Sequence, residues 1–165
     1  MSKPANIVLT GFMGTGKSTV GKLVADELRM SFVDTDTLIQ SRAGRAIPAI
    51  FAEDGEAVFR AMERDVCVEL AAQHGLVVAT GGGMLVDPRN RAAFAATALI
   101  VCLWASPGTI AARLAGNSGR PLAASWRALL EQRTPIYRQL PHHLDTTGRA
   151  PEDTAQEVIA LWQSS

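Results

Sequence analysis

Short aliphatic, β-branched runs alternate along the chain with longer amphipathic stretches, and each type predicts a different element. The short runs predict strands at 7–10, 31–33, 76–80, 99–104 and 143–145. The amphipathic stretches predict helices at 18–28, 36–44, 55–74, 87–96, 106–114, 125–140 and 151–162. Strands that alternate with helices favour a parallel sheet covered on both faces, so the predicted fold class is α/β.

Two finer features of the pattern can be tested against a structure. The helix at 55–74 carries an apolar ridge at i, i+4 spacing, made of Val58, Met62, Val66 and Leu70. The stretch 115–124 is rich in Gly, Ser, Asn and Pro, which predicts a mobile loop. There is no internal repeat and no linker, and 165 residues with 47% apolar types suit one core. We therefore expect a single domain over 1–165.

Composition excludes several classes of function. The formal net charge is zero and aromatic residues make up 5%, which argues against a nucleic-acid binder. Cys67 and Cys102 lie in no metal-ligand pattern, so we expect two buried thiols in a reducing cytoplasm and no zinc. No apolar run is long enough for a membrane span, so no membrane partner is expected. Arginine supplies 13 of the 16 basic residues, which suits bidentate binding of anions.

The segment 11–18, GFMGTGKS, matches the phosphate-binding loop G-x(4)-G-K-[ST] between a predicted strand and a predicted helix. Its glycines let successive backbone N–H groups point at phosphate oxygens, and the helix N-terminus adds partial positive charge. Lys17 would reach the β- and γ-phosphates, and Ser18 can ligate Mg²⁺. A glycine-rich turn without nucleotide is the alternative. The placement favours a nucleoside triphosphate site, with ATP as the expected ligand.

Asp34 and Asp36 follow the second predicted strand, at the edge where open α/β sheets bind ligands. One carboxylate could face Mg²⁺ near Ser18 while the other turns toward a hydroxylated substrate. The alternative is that Asp36 caps the next helix and Asp34 is merely solvated.

Arg60 and Glu63 lie three residues apart on a predicted helix and therefore project from one face. An ordinary surface ion pair is the alternative. Gly81, Gly82 and Gly83 follow the third strand and offer a bare backbone that could approach a small substrate. A loose turn is the alternative reading of these glycines.

Arginines further along the chain are candidates for binding anions: Arg113, Arg120, Arg133 and Arg149. Arg120 lies inside the predicted loop, where a cation could swing over phosphates on closure. His142 and His143 are adjacent on a predicted strand and face opposite sides, so they are interpreted as structural rather than metal-binding.

Taken together, these motifs resemble shikimate kinase, a family of small P-loop kinases related to the nucleoside monophosphate kinases. The resemblance runs nearly the whole chain, through the segments GFMGTGKST, FVDTDTLI, GEAVFRAME, VVATGGGMLV, GNSGRPL, QRTPIY and LDTTGRAP. A P-loop alone would fit many families. Its combination with DTD, GE-x-x-FR-x-x-E and GGG in this order is far more specific.

The resemblance implies a P-loop kinase fold, with sheet order 2-3-1-4-5 and a mobile lid at about 115–124. It places the ATP phosphates on Gly14, Thr15, Gly16, Lys17, Ser18 and Thr19. It places Mg²⁺ on Ser18, with Asp34 holding the ion through water. Arg113 and Arg149 would border the adenine, and Arg120 would be the lid arginine that reaches the phosphates.

For the acceptor, the resemblance implies shikimate bound among Asp36, Arg60, Glu63, Gly81, Gly82, Gly83 and Arg133. The two arginines would hold its carboxylate and Asp36 its hydroxyls. Lys17, Asp36 and Arg120 would be the catalytic residues. One departure is visible, because the segment from Arg120 to Arg133 is several residues shorter than expected for the family's lid. Both of these arginines are nevertheless present.

The expected activity is therefore transfer of the γ-phosphate of ATP to the 3-hydroxyl of shikimate, in aromatic amino-acid synthesis, by a cytoplasmic monomer. Two alternatives stay open. A kinase for another small hydroxy acid, such as gluconate, would keep the P-loop but has no reason to keep the other three motifs. A shikimate-kinase-like sensor domain would bind a ligand without turnover.

Overall fold

A computed structural model describes residues 2–116 and 125–165. The strands are β1 Asn6–Gly11, β2 Ser31–Asp34, β3 Leu76–Ala79, β4 Ala98–Trp104 and β5 His142–Asp145. The helices are α1 Lys17–Leu28, α2 Thr35–Ala43, α3 Ile47–Asp54, α4 Glu56–Ala71, α5 Pro88–Ala95, α6 Pro107–Ala115, α7 Trp126–Tyr137 and α8 Pro151–Gln163, with a single 3-10 turn, η1, at Met84–Val86.

The five strands form one parallel sheet in the order β2-β3-β1-β4-β5, which confirms the predicted α/β class and strand order. Successive residues of the central strand β1 enter different cores because side chains alternate across a sheet. Ile7 and Leu9 pack with α1 and α8 on one face, whereas Val8 packs with the core beneath α4 on the other. Parallel pairing also brings the carboxyl ends of all five strands to one edge, where the candidate site lies.

The region before Gly55 differs from the prediction. Helix α3 at Ile47–Asp54 was not predicted, and the predicted long helix is shorter, running as α4 over Glu56–Ala71. Pro48 in the first turn suits the start of α3, since a proline there loses no helical hydrogen bond. Gly55, with a φ of 87°, separates the two helices.

The predicted apolar ridge of α4 is wrong in its first half. Val58 is 39% exposed and Met62 is only partly buried. The buried line instead runs through Phe59 and Glu63 before it meets Val66. A carboxylate occupies a core-facing position of this helix, and hydrophobic periodicity therefore placed the ridge one residue too early.

Two further helix ends differ from the predicted positions. Helix α7 ends at Tyr137, earlier than the predicted 140, and α6 extends through Ala115. Of the predicted lid, residues 117–124 lie outside the described residues. Within 2–116 and 125–165, none of the helices is both long and apolar enough to cross a membrane.

Candidate active site

The P-loop connects the end of β1 to the start of α1. Gly16 is the residue before the helix and has a φ of 95°, a conformation that side chains rarely adopt. No side chain caps this helix, so its first N–H groups are left to face the loop. This is the geometry of an anion site built from backbone, as the motif predicts.

The Lys17 ammonium lies over the loop. Its Nζ donates to the carbonyl oxygens of Gly11 at 2.6 Å and Phe12 at 2.9 Å. The buried Thr15 hydroxyl also donates to the Phe12 carbonyl, at 2.7 Å. The positive charge of Lys17 is thereby held next to the N–H groups that begin α1.

Two residues from later in the chain hold the outer side of the loop. Arg113 on α6 donates from Nη1 to the Gly14 carbonyl at 2.9 Å, and from Nη2 to the Thr146 carbonyl at 2.9 Å. The buried Thr146 hydroxyl lies 3.0 Å from the Thr15 carbonyl and 3.1 Å from Arg113 Nη1. Because the Gly14 and Thr15 carbonyls accept hydrogen bonds from Arg113 and Thr146, the backbone amides of the loop can point into the cavity. Sequence reasoning missed Thr146, which follows β5.

A cavity of about 490 Å³ opens beside this loop. Its lining includes residues of the loop itself together with Arg113, Thr146, Arg149 and Pro151. Arg149 is ion-paired to Glu157 on α8 at 2.7 Å and lies at the wall of the cavity. Both arginines predicted to border the nucleotide base are thus beside the phosphate loop.

Ser18 and Asp34 meet at the edge of the sheet. The Ser18 hydroxyl donates to Oδ2 of Asp34 at 2.8 Å, while Oδ1 accepts from the Thr37 N–H at 3.0 Å. Asp34 therefore caps α2, and the alternative in which Asp36 caps this helix is wrong. A hydroxyl and one carboxylate suit Mg²⁺, which prefers oxygen ligands and takes the remainder from water and phosphates.

Asp36 lies in the first turn of α2 and faces the glycine segment that follows β3. A Cβ on Gly81 would lie 2.5 Å from Oδ1 of Asp36. At the next two positions the added Cβ would meet Arg133 Nη1 at 2.8 Å from Gly82, and Arg60 Nη1 at 2.6 Å from Gly83. None of these glycines has a positive φ, so the backbone conformation does not require glycine here. Glycine is required because a Cβ would overlap the neighbouring side chains. The loose-turn alternative does not explain this packing.

The backbone of the segment is partly occupied. The Gly81 N–H donates to the buried Thr35 hydroxyl at 2.9 Å, so this amide is not the substrate donor that the bare backbone suggested. Thr35 thereby ties α2 to the glycine segment and keeps Asp36 beside it. The amides of the two following glycines are the ones left to face a ligand.

Arg60 and Glu63 form a partly buried ion pair on α4. Glu63 is 2% exposed, and Arg60 Nη1 donates to its Oε1 at 2.7 Å. Burial raises the pKa of the Glu63 carboxyl, and the hydrogen bond from Arg60 opposes that rise. The surface-pair alternative is therefore wrong, because one partner lies in the interior. The Arg60 guanidinium is also 3.3 Å from Glu56, which helps to orient it.

A second cavity of about 700 Å³ lies beside this pair. Arg60, Glu63, Gly83 and Arg133 all line it. It combines the guanidinium groups of Arg60 and Arg133 with a glycine backbone, an arrangement suited to a small carboxylate, whereas Arg89, which also lines it, is ion-paired to Asp87. Of the other predicted acceptor residues, Asp36, Gly81 and Gly82 do not line this cavity but lie at the adjoining glycine segment.

Tyr137 is a further site residue that sequence reasoning missed. Its hydroxyl donates to the Gly82 carbonyl at 2.6 Å. The sequence feature that could have identified it is its position four residues after Arg133, because this spacing places both side chains on one face of α7.

The histidine and cysteine candidates contact other parts of the protein in ways that suit a structural role. His143 Nε2 lies 2.8 Å from the Tyr137 carbonyl, and its ring centroid is 5.8 Å from that of Trp104. Cys67 and Cys102 are free and buried as predicted, and burial raises the pKa of each thiol to about 12. Among the described residues, no group of three or more His, Cys, Asp or Glu could hold a metal. Arg120 lies outside those residues.

Comparison with known proteins places this site in one family. A family model described as shikimate kinase matches residues 13–163. A shikimate kinase from Thermus thermophilus is 42% identical and is aligned over 98% of this chain and 92% of its own length. The Geobacter sulfurreducens shikimate kinase is 44% identical, over 98% of this chain and 94% of its own.

Solved structures agree with the sequence matches. Shikimate kinase from Acinetobacter baumannii, determined in complex with shikimate, has a TM-score of 0.90 and 35% identity, covering 99% of this chain and 94% of that one. A gluconokinase from Sinorhizobium meliloti has a TM-score of 0.65 and 18% identity, covering 99% of this chain and 94% of its own. That second likeness shows a shared fold alone. The phosphate loop, the two carboxylates and the paired arginines thus occur in a chain that belongs to the shikimate kinase family.

Proposed function

We propose that this chain transfers the γ-phosphoryl group of ATP to the 3-hydroxyl of shikimate, as a step in chorismate and aromatic amino-acid synthesis. The observation that carries the proposal is the packing of the glycine segment. Asp36, Arg133 and Arg60 each occupy the place of a side chain missing from Gly81, Gly82 and Gly83, in that order. A carboxylate and two guanidinium groups are thereby fixed around one backbone.

These groups complement the acceptor. Arg60 and Arg133 would bind the carboxylate of shikimate through charge-assisted hydrogen bonds. Asp36, which packs against Gly81 at the start of the segment, would orient the attacking hydroxyl and accept its proton. As the hydroxyl oxygen bonds to the γ-phosphorus, the bond from that phosphorus to the bridging oxygen breaks and ADP leaves.

The donor side is built from backbone and one ammonium group. Amides at the start of α1 and Lys17 would bind the β- and γ-phosphates and stabilise the charge on the transferring group. Ser18 and Asp34 would hold Mg²⁺, which neutralises charge on the phosphate oxygens. Arg113 and Arg149 would border the base. Catalysis then depends mainly on positioning and charge neutralisation.

Arg120 completes the proposal as the cation that reaches the phosphates when the lid closes. This role rests on the resemblance of its segment to the family, whereas the expected cytoplasmic location rests on two cysteines that lie in no metal-ligand pattern. The chain is also proposed to act as a monomer. A gluconate kinase is less well supported, since the likeness to gluconokinase is limited to the fold.

A coupled assay of ADP release with shikimate, quinate and gluconate tests the proposal. We expect phosphorylation of shikimate to exceed that of the other two acids, and a product analysis to show the phosphate on the 3-hydroxyl. A preference for gluconate would contradict the proposal. Shikimate binding without ADP release would instead favour the sensor-domain alternative.

Titration calorimetry separates the two cavities. Asp36→Asn and Arg60→Ala should each weaken shikimate binding while ATP binding stays close to that of the wild type. Loss of one partner in a hydrogen-bonded charged contact costs on the order of 2–5 kcal/mol. If both variants bind shikimate as the wild type does, the acceptor pocket lies elsewhere.

A further inference from the structure

Tyr137 is the last residue of α7 and is almost completely buried, with 1% of its surface exposed. Its hydroxyl does not reach solvent but donates to the Gly82 carbonyl at 2.6 Å. A buried acceptor that loses its donor costs more than the net value of the bond. The contact therefore fixes the distance between the end of α7 and the glycine segment.

Arg133 lies one turn before Tyr137 on the same face of α7. Both side chains close on the same glycine: a Cβ on Gly82 would be 2.8 Å from Arg133 Nη1 and 3.4 Å from the Tyr137 hydroxyl. The guanidinium and the phenol thus share the space above one residue. Any shift of α7 would move both of them relative to the segment.

The helix alone does not hold this geometry rigidly. Pro135 lies between the two residues and has no N–H, so α7 lacks one hydrogen bond at this turn. Thr134 directs its hydroxyl to the Leu130 carbonyl at 2.7 Å, which leaves the Glu131 carbonyl, the normal partner of an N–H at position 135, without its helical donor. The orientation of Arg133 therefore depends on tertiary contacts at the end of the helix.

The ring of Tyr137 is itself fixed from the other side. Trp104, at the end of β4, meets it edge-on with centroids 6.0 Å apart. His143 on β5 lies 2.8 Å from the Tyr137 carbonyl. Trp104 and His143, at the edge of the sheet, therefore fix the position of Tyr137. The Tyr137 hydroxyl in turn fixes the position of the glycine segment.

We propose that Tyr137 is a positioning residue that sets Arg133 against Gly82 for binding the acceptor carboxylate. The inference rests on the proposed function, since it assigns Arg133 to that carboxylate. Tyr137 is proposed to act through Arg133 and not directly on a reactant, so its effect is expected in acceptor binding and not in the chemical step. ATP binding should be unaffected, because the phosphate loop is held by different residues.

Tyr137→Phe tests the proposal, since it removes the hydroxyl and keeps the ring. The KM and Kd for shikimate should rise about 5- to 30-fold, because a displaced Arg133 loses part of its charge-assisted hydrogen bonding to the carboxylate. KM for ATP and kcat should each change less than about twofold. The ratio of affinities for shikimate and its methyl ester should also fall, because the carboxylate contact is the one disturbed.

A double-mutant cycle separates positioning from general stability. In an Arg133→Ala background, Tyr137→Phe should weaken shikimate binding little further. Val158→Ala is the stability control, because it opens a cavity in the core on the other face of the sheet, away from Tyr137 and the glycine segment. It should lower Tm and leave the ratio of shikimate to methyl ester unchanged.

Three results would overturn the proposal: unchanged shikimate affinity in Tyr137→Phe, equal loss of ATP and shikimate affinity, or additive effects in the cycle. If the wild type phosphorylates quinate or gluconate instead of shikimate, the proposed function fails. The positioning role of Tyr137 is then tested by running the same double-mutant cycle with that acid, because it carries the same carboxylate. A wild type that accepts none of the three acids would overturn both proposals.

Discussion

The carboxylate of Asp36 occupies the space that a side chain on Gly81 would need, with 2.5 Å between Oδ1 and the Cβ position. Gly81→Ala should therefore displace Asp36 without straining the backbone, whose φ is not positive at this residue. We expect kcat/KM for shikimate to fall on the order of 100-fold, because small misplacements of a reacting group are costly. Steady-state kinetics measures this loss.

The matched control for this prediction is Gly108→Ala. A Cβ on Gly108, in helix α6, would have no neighbour within 4 Å. This variant should keep wild-type kinetics, and both variants should bind ATP normally in calorimetry. Full activity of Gly81→Ala would show that Asp36 does not need its present position.

Lys17→Met should abolish turnover and leave the fold intact. The Lys17 ammonium contacts the carbonyls of Gly11 and Phe12 and is not part of a hydrophobic core. Removing a single electrostatic contact to a transition state typically costs about 10²- to 10³-fold in rate. Circular dichroism and Tm check the fold. Normal turnover by a folded variant would refute the P-loop assignment.

Asp34→Asn isolates the charge of Asp34 from its capping role. Asparagine also caps helices well, so α2 and the free energy of unfolding should change little. The Mg²⁺ concentration for half-maximal rate should rise about 10- to 100-fold if Asp34 holds the ion through water. An Mg²⁺ titration of the rate measures this. Asp26→Asn, on the exposed face of α1, is the charge control and should not shift the curve.

Much of the fold could be predicted from local sequence. Strand runs and helix signals are properties of neighbouring residues, which is why the strand positions and the P-loop were both predicted and found. The buried ridge of α4 could not be predicted in the same way. Glu63 occupies a core position because Arg60 pairs with it, and a hydrophobic pattern does not include such a carboxylate.

The missed site residues share one physical cause. Thr146 braces a loop that is 131 residues away in the sequence, and Tyr137 bonds a carbonyl 55 residues away. Both residues lie in segments that resemble the family, QRTPIY and LDTTGRAP, but no spacing rule within those segments indicates either contact. Their importance arises from where the parallel sheet brings strand ends together, which only the folded chain displays.

Arg120→Ala should lower kcat more than it weakens shikimate binding. Its role is inferred from the resemblance of the segment around it, and the residue lies outside 2–116 and 125–165. A cation that meets the phosphates mainly in the closed state acts on the transition state, so its loss appears in kcat. Steady-state kinetics with both substrates varied decides the matter. An unchanged kcat would show that Lys17 and Mg²⁺ neutralise the phosphoryl group without it.

Tyr137 gives a direct optical test of the site because it is the single tyrosine of the chain. Burial raises its pKa from the usual value near 10 to about 12, with the nearby Arg133 opposing the rise. The phenolate absorbance of the folded protein should therefore appear about two pH units later than that of the protein unfolded in urea. Phenolate forming near pH 10 in the folded protein would contradict the buried hydrogen bond to Gly82.

The same shift predicts how stability depends on pH. A folded-state pKa above the unfolded one means that the phenol contributes stability below about pH 10, and that this contribution is lost as the pH rises through about 12. The loss should be on the order of 3 kcal/mol, from two pKa units at about 1.4 kcal/mol each. Since Tyr137→Phe has no phenol to ionise, the stability advantage of the wild type over this variant should shrink across that window. Urea unfolding of both proteins from pH 9 to 12 measures the difference, and parallel curves would show that ionising the phenol is not coupled to folding.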